Sequence, residues 1–253
     1  MMVVAQRTKG VDSARRVLEI LLQFTDSKPE LTIDRLLEAH DISLPSAYRY
    51  ISLLREMHLI EEHNKGTFVL SPRVLQLARA AEATLDYKVE AQPILKRLTD
   101  QTGETSLYLR RIDDAAVCIA IEETDHAISI SFNPGHMMPL HAGAAAKTLL
   151  SDLSPAKREL YFSRLKPSLA KKVQSQLVIE LEQIRLSGYA ESRGEVDDGV
   201  WACASSVYVR KTQIGAISVV APAYRVGIEK REAIGHAVRE AAAKLESVLV
   251  ALG

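Results

Sequence analysis

The spacing of apolar residues between Ser13 and Leu70 constrains the fold more than any other feature of this sequence. Three short segments repeat apolar residues every three or four positions, as amphipathic helices do. Asp12 or Ser13 is expected to cap the first helix, Thr32 the second and Ser43 the third. Their predicted apolar faces are Ala14, Val17, Leu18, Leu21 and Leu22, then Ile33, Leu36 and Leu37, then Ala47, Ile51 and Leu54. The sequence therefore predicts three helices around one small core.

A short β-hairpin is expected after the third helix. A polar turn at 64–66 separates Leu59 and Ile60 from the apolar run Thr67–Leu70. The predicted order is that of a winged helix-turn-helix. Three helices come first, of which the second and third are joined by a tight turn, and a hairpin follows. An ordinary helical subdomain is the alternative, because amphipathic helices are common in globular proteins.

The outward face of the third helix favours DNA binding. A merely solvated face would carry long Glu and Lys side chains, whereas this face offers small hydroxyls beside Arg49. Small side chains let the backbone approach the bases, and a guanidinium can bind a phosphate or a guanine edge with two hydrogen bonds. Lys65, in the hairpin turn, can contact a phosphate. The residues expected to contact double-stranded operator DNA are Pro45, Ser46, Tyr48, Arg49, Ser52 and Lys65.

The net charge does not reinforce that expectation. The chain has 32 basic and 32 acidic residues and a formal net charge of zero, whereas nucleic-acid binders are commonly basic. DNA binding then requires basic groups to gather on one face, and the pairing of two subunits can concentrate them.

The sequence divides into three parts of different character. We expect residues 1–71 to form the winged helix-turn-helix, 72–87 a linker helix and 88–253 a second domain. In the second domain, helices are predicted at 89–101, 142–150, 155–164, 169–187 and 228–249, and strands at 106–111, 116–121, 128–132, 201–209 and 213–220. Helices and strands mix without regular alternation, which indicates an α/β (α+β) domain with antiparallel strands and not a doubly wound sheet.

Export, membrane anchoring and disulfide bonding have no support in the sequence. No stretch approaches the length of a membrane span, and Met1 to Gly10 lacks the apolar run of a signal peptide, so a soluble, cytoplasmic protein without a membrane partner is expected. Cys118 and Cys203 lie far apart, and apolar packing is their expected role.

Residues that could carry out catalysis are present but isolated. His136 and His141 lack a further metal ligand nearby, and the adjacent side chains of Asp197 and Asp198 diverge. Lys147 could form a Schiff base, but an anchor between a helix and a loop is the better interpretation. We therefore assign no catalytic residue, metal ligand or cofactor. A hydrolase or lyase with an appended helical module is the alternative function, and an architectural DNA binder without a ligand is a third.

Several motifs resemble the IclR family of bacterial transcription regulators, in the family's order and over nearly the whole chain. They are Ser46-Ala47-Tyr48-Arg49, 101–105 (QTGET), 139–147 (PLHAGAAAK), 184–190 (IRLSGYA), Glu195 and Gly199-Val200. The resemblance implies a winged helix domain, a linker helix and a GAF-like α/β domain that binds a small effector. It also implies a dimer or a dimer of dimers that represses or activates a catabolic operon.

The resemblance further implies where the effector binds. Family members that sense small acids hold the carboxylate with backbone amides of a small-residue loop, which is Gly143, Ala144 and Ala145 in this sequence. Polar side chains of a late hairpin assist, but only Ser218 remains polar here, because Ala202 and Val220 occupy the other two positions. The loss indicates a less polar effector, such as an aromatic or longer organic acid. Ser192, Trp201 and Cys203 are close enough in sequence to line the same cavity, although Trp201 is better explained as a core residue.

Overall fold

The computed structural model describes residues 10–25, 28–40, 42–82, 86–127, 129–130, 132–165 and 167–252. These residues fall into two compact units, one on either side of positions 83–85. Each unit has a hydrophobic core of its own.

The N-terminal unit combines helices with a three-stranded antiparallel sheet in the order β1-β3-β2. Its elements are α1 (Asp12–Leu21), β1 (Glu30–Thr32), α2 (Ile33–His40), α3 (Leu44–Glu56), β2 (Ile60–Asn64), β3 (Thr67–Leu70) and α4 (Arg73–Glu82). Helices α1 and α2 both pack on α3, and β2 and β3 form the predicted hairpin. The predicted winged helix-turn-helix is thereby confirmed.

The start and the buried face of α1 differ from the prediction. Val11 occupies the cap position, so Asp12 and Ser13 lie in the first turn and cap nothing. The helix buries Val17 and Ile20, whereas Ala14, Leu18 and Leu22 of the predicted face are exposed. At 100° per residue, the apolar residues of α1 span roughly 200° of its circumference, and only one edge of so wide an arc meets the core.

The other two predicted caps have different outcomes. The Thr32 hydroxyl accepts a hydrogen bond from the Arg35 amide at 3.4 Å, as expected at the start of α2. Ser43 occupies the cap position of α3, but its hydroxyl is 3.0 Å from the Ser46 hydroxyl and receives no backbone amide. Ser43 is therefore the N-cap residue of α3, as predicted, but it makes no side-chain hydrogen bond to the helix backbone.

The C-terminal unit is built on a six-stranded antiparallel sheet in the order β6-β5-β4-β9-β8-β7. Its elements are α5 (Asp86–Thr102), β4 (Thr105–Ile112), β5 (Ala115–Glu122), β6 (Met137–Pro139), α6 (Ala144–Ser151), α7 (Pro155–Arg164), α8 (Lys171–Ser187), β7 (Tyr189–Arg193), β8 (Val200–Val209), β9 (Thr212–Pro222), a 3₁₀ turn (Ala223–Arg225) and α9 (Ile228–Leu252). Helices α6, α7 and α8 contribute to the core on one face of the sheet, and α5 and α9 to the core on the other. The mixed α/β class with antiparallel strands is confirmed.

Short strands account for most of the differences from the prediction. Three strands were not expected: β1 and β6, which have three residues each, and β7, a polar edge strand. A period of two cannot be recognised over three residues, and an edge strand buries too little to show one. The strand predicted at 128–132 includes Ile128 and Ser131, which lie outside the described residues, and its other residues belong to no strand.

Gly215 is required by a close approach of β4 to β9. A Cβ atom at this position would lie 2.4 Å from Cε2 of Tyr108 and 2.7 Å from the backbone oxygen of Leu109. Gly215→Ala should therefore lower the free energy of unfolding by about 1–3 kcal/mol, as overpacking of a core does. Gly227→Ala is the matched control, because its Cβ would meet no atom within 4 Å. Chemical denaturation of the two variants measures the difference, and equal stability would contradict the close approach.

Candidate functional site

The outward face of α3 presents the predicted DNA-binding residues together. Pro45, Tyr48, Arg49 and Ser52 are exposed and Ser46 is half-buried, while Ala47, Ile51 and Leu54 of the same helix are buried. The Arg49 guanidinium donates one hydrogen bond to the Ser46 hydroxyl at 3.2 Å. A guanidinium has five N–H donors, so this contact orients Arg49 and leaves donors for a ligand.

Lys65 lies at the tip of the β2–β3 hairpin and is exposed. The turn depends on Gly66, whose φ of +76° favours glycine, and the Glu62 carboxylate accepts the Gly66 amide at 2.9 Å. Glu61 and Glu62 are both exposed on β2. These carboxylates reduce the positive potential of the hairpin, which weakens the case for a phosphate contact by Lys65.

A cavity in the C-terminal unit lies between the N-terminus of α6 and the sheet. All seven residues predicted for the effector site line it: Gly143, Ala144, Ala145, Ser192, Ala202, Ser218 and Val220. Its other lining residues were not predicted and are Leu107, Leu109, Phe132, Met138, Ala146, Glu195, Val196, Asp197 and Val200. The walls are mostly apolar. The cavity volume is about 40 Å³, which leaves room for only a few water molecules.

Polar groups at the cavity are concentrated at the start of α6. The Ala144 amide donates to the Ser192 hydroxyl at 3.0 Å, and the Gly143 amide donates to Oε2 of Glu195 at 2.9 Å. Ala145 and Ala146 lie in the first turn, where amides have no partner within the helix, and no described residue accepts a hydrogen bond from them. The helix start therefore offers N–H donors to an anion.

The Ser218 hydroxyl faces the cavity from β9. It donates a hydrogen bond to the carbonyl of Cys203 at 2.8 Å, so its proton is used within the sheet. Its oxygen lone pairs remain available. Ser218 is therefore set to accept a hydrogen bond from a ligand, and donation to a carboxylate would require the hydroxyl to rotate.

Trp201 and Cys203 do not line the cavity. Successive strand residues point to opposite faces, and these two belong to the core under α5 and α9, on the other side of the sheet from Ala202. The Trp201 indole donates to Oε2 of Glu191 at 3.2 Å. Of the three residues considered for the cavity on sequence proximity, only Ser192 contributes to it, and the core role of Trp201 is confirmed.

Two of the isolated polar residues have structural partners. Lys147 is buried, and its ammonium contacts Oε1 of Glu180 at 2.5 Å and Oε1 of Glu195 at 2.6 Å. It joins α6 to α8 and to the segment after β7, which confirms the anchor interpretation. His141 Nδ1 lies 2.6 Å from the Tyr161 hydroxyl, and burial lowers the His141 pKa.

Neither metal binding nor membrane insertion gains support. Among the described residues no three His, Cys, Asp or Glu side chains gather as metal ligands. Within the same residues, no helix combines the length and apolar character needed to cross a bilayer.

Comparison with known proteins gives consistent matches. The family described as bacterial transcriptional regulator IclR, C-terminal, matches residues 80–247. The HTH-type transcriptional regulator BhcR of Paracoccus denitrificans is 28% identical over 248 residues, which are 95% of this chain and 88% of that protein.

Solved structures share the fold. An IclR family transcriptional regulator from Brucella abortus has a TM-score of 0.84 at 18% identity, covering 97% of this chain and 95% of that one. An IclR homologue from Microbacterium hydrocarbonoxydans, solved in complex with 4-hydroxybenzoate, has a TM-score of 0.75 at 20% identity, covering 94% of this chain and 99% of that one.

Both cysteines should be unreactive in the folded protein. Burial raises the pKa of Cys118 to about 11 and that of Cys203 to about 12, so almost no thiolate, the reactive form, exists in mildly alkaline buffer. Iodoacetamide should leave both thiols unmodified in the native protein and alkylate both after denaturation. Mass spectrometry of peptides measures this, and rapid native labelling of Cys203 would contradict its placement in the core.

Proposed function

The chain belongs to the IclR family of bacterial transcription regulators, and we propose that it binds operator DNA through α3 under the control of a small organic acid bound in the cavity of the C-terminal unit. Like its relatives, it is a transcription regulator and not an enzyme. A catabolic operon is the proposed target, because a regulator that senses an organic acid suits genes that degrade one.

The effector site is supported chiefly by the convergence of separate segments on one cavity. The small-residue loop before α6, strand β7 and the β8–β9 hairpin all contribute to its lining. The start of α6 supplies the anion-binding amides, which are those of Ala145 and Ala146 together with that of Gly143, now bonded to Glu195. A concave, mostly apolar site with a few polar groups is typical of small-molecule binding.

The lining favours an aromatic or otherwise weakly polar acid. The side chains of Ala202 and Val220 offer no polar atom, so a second charged group on the ligand would lose its hydration there without gaining a partner. Phe132, Met138 and Leu109 can contact a ring or a hydrocarbon chain. The IclR homologue solved with 4-hydroxybenzoate supports this class of ligand and makes that compound a suitable first probe.

The DNA-binding role assigns Arg49 as the principal contact, with Pro45, Ser46, Tyr48 and Ser52 around it. A single short helix reads only a few base pairs, too few to select an operator in a genome. The working unit is therefore proposed to be a dimer or a dimer of dimers, which reads two half-sites about 10 base pairs, or a multiple, apart.

Arg49→Ala should weaken operator binding by about 1–3 kcal/mol if the guanidinium reads a base edge. Lys65→Ala should weaken binding to all sequences equally, because a phosphate contact does not depend on the base sequence. The effect should be smaller than that of Arg49→Ala, because Glu61 and Glu62 lie near Lys65. Gel shifts with operator and scrambled DNA at one salt concentration measure both effects.

Arg55→Ala is the matched control for Arg49→Ala. Arg55 lies on the same helix and is exposed, but its guanidinium pairs with Glu62 at 3.4 Å instead of contacting Ser46. If Arg49→Ala weakens operator binding no more than Arg55→Ala does, Arg49 is not the principal contact.

Ala145→Leu should abolish effector binding, because Ala145 is buried at the cavity and the added side chain occupies the ligand's space. Ser218→Ala should weaken binding by about 1 kcal/mol through the loss of one hydrogen bond. Calorimetric titration with 4-hydroxybenzoate measures both affinities.

Ser205→Ala controls for the loss of a serine hydroxyl from the same sheet. The Ser205 hydroxyl donates to the Gly188 carbonyl at 3.2 Å and does not line the cavity. Wild-type affinity in Ala145→Leu and Ser218→Ala, with folding verified by circular dichroism, would move the effector site elsewhere.

A further inference from the structure

Glu195 holds a carboxylate against the N-terminal end of α6. Its Oε2 accepts the Gly143 amide at 2.9 Å, and its Oε1 accepts a hydrogen bond from the Lys147 ammonium at 2.6 Å. The exposed N–H groups and the dipole of a helix favour negative charge at this end. A carboxylate of the chain itself therefore already uses one of the amides beside the cavity.

The charges around Lys147 make Glu195 replaceable. The Lys147 side chain is 2% exposed and contacts two carboxylates, those of Glu180 and Glu195, so the cluster has one positive and two negative charges. If Glu195 withdraws into water, Lys147 and Glu180 remain as a neutral pair. A ligand carboxylate that takes its place restores the original charge, whereas a ligand added to the intact cluster brings a further buried negative charge. Electrostatics therefore favours a ligand carboxylate that replaces Glu195 over one that binds beside it.

The backbone around Glu195 permits such a withdrawal. Residues 194–199 are exposed and lie between β7 and β8, outside both strands. The segment is bounded by Gly194 and Gly199, with φ of +65° and +79°. Val196, in the same segment, lines the cavity, and its Cγ2 would lie 3.2 Å from a Cβ placed at Gly143. One movement of the segment would thus remove both the carboxylate and part of the cavity wall.

We propose that Glu195 is an internal competitor for the acidic group of the effector, and that an acid binds by displacing Glu195 and the 194–199 segment. The inference rests on the proposed function, in which the cavity binds an organic acid. It explains how a cavity of about 40 Å³ can admit a larger ligand.

Glu195→Ala should bind 4-hydroxybenzoate about tenfold more tightly than the wild type, because a charge-assisted hydrogen bond no longer has to be broken. Glu195→Gln should show a smaller gain, because its amide oxygen can still accept from Gly143. For the neutral analogue 4-hydroxybenzamide, the gain in Glu195→Ala should be much smaller than for the acid. Calorimetric titration measures all of these affinities.

Glu180→Gln is the matched control. It removes a carboxylate from Lys147 but leaves the Glu195 contact with Gly143 in place. Competition for the amide predicts no gain in affinity for Glu180→Gln. If Glu180→Gln and Glu195→Ala gain equally, the effect is one of overall charge, and the competition proposal is wrong.

The Gly143 amide can be observed directly by nuclear magnetic resonance. Ala142-Gly143 is the only Ala-Gly pair in the sequence, so carbonyl-13C alanine combined with nitrogen-15 glycine isolates this amide. Its proton resonance should move upfield in Glu195→Ala, and acetate, a minimal carboxylate, should move it back. Acetate should have far less effect on the wild type, in which Glu195 occupies the amide.

These outcomes separate the two proposals. If 4-hydroxybenzoate binds no variant while acetate still shifts the Gly143 amide in Glu195→Ala, the competition stands and the proposed aromatic ligand class fails. If Glu195→Ala is folded and no carboxylate shifts this amide, or if its affinity for 4-hydroxybenzoate does not exceed that of the wild type, Glu195 is not a competitor.

Discussion

The six-stranded sheet is covered by helices on both faces, and this constraint determines the rest of the C-terminal unit. Each strand residue must fit one of two cores, and the alternation of side chains decides which. Ala202 and Ser218 face the cavity, whereas Trp201 and Ile217, one position earlier on the same strands, face α5 and α9. The ligand site and the opposite core are thus separated by a single layer of backbone.

Local sequence patterns predicted the elements that bury a regular face. Helices α1, α2 and α3, the long helices α8 and α9 and the strands β8 and β9 were all predicted, because each buries several apolar residues. Strand β7 (Tyr189–Arg193) was not, because it lies at the sheet edge and its residues are largely polar. The apolar residues of α1 cover so wide an arc of the helix that the sequence did not show which of them meet the core.

The cavity was predictable only in part, because its walls come from segments distant in sequence. The positions on α6, β8 and β9 followed from resemblance, but Leu107 and Leu109 join them only through the pairing of β4 with β9. Glu195 was visible as a motif residue without a role. Its contacts with Gly143 and Lys147 span 52 and 48 positions, and no local pattern encodes contacts at such separations.

The position of the cavity on the hairpin also has a consequence for how this protein could diverge. Strands β8 and β9 are joined by backbone pairing from Val200–Pro222 to Val209–Thr212, and that pairing does not depend on which side chains face the ligand. Substitutions at Ala202, Ser218 or Val220 can therefore change the shape and polarity of the cavity while the ladder and the opposite core persist. A new ligand preference can evolve through point mutations on two neighbouring strands, without any change of fold.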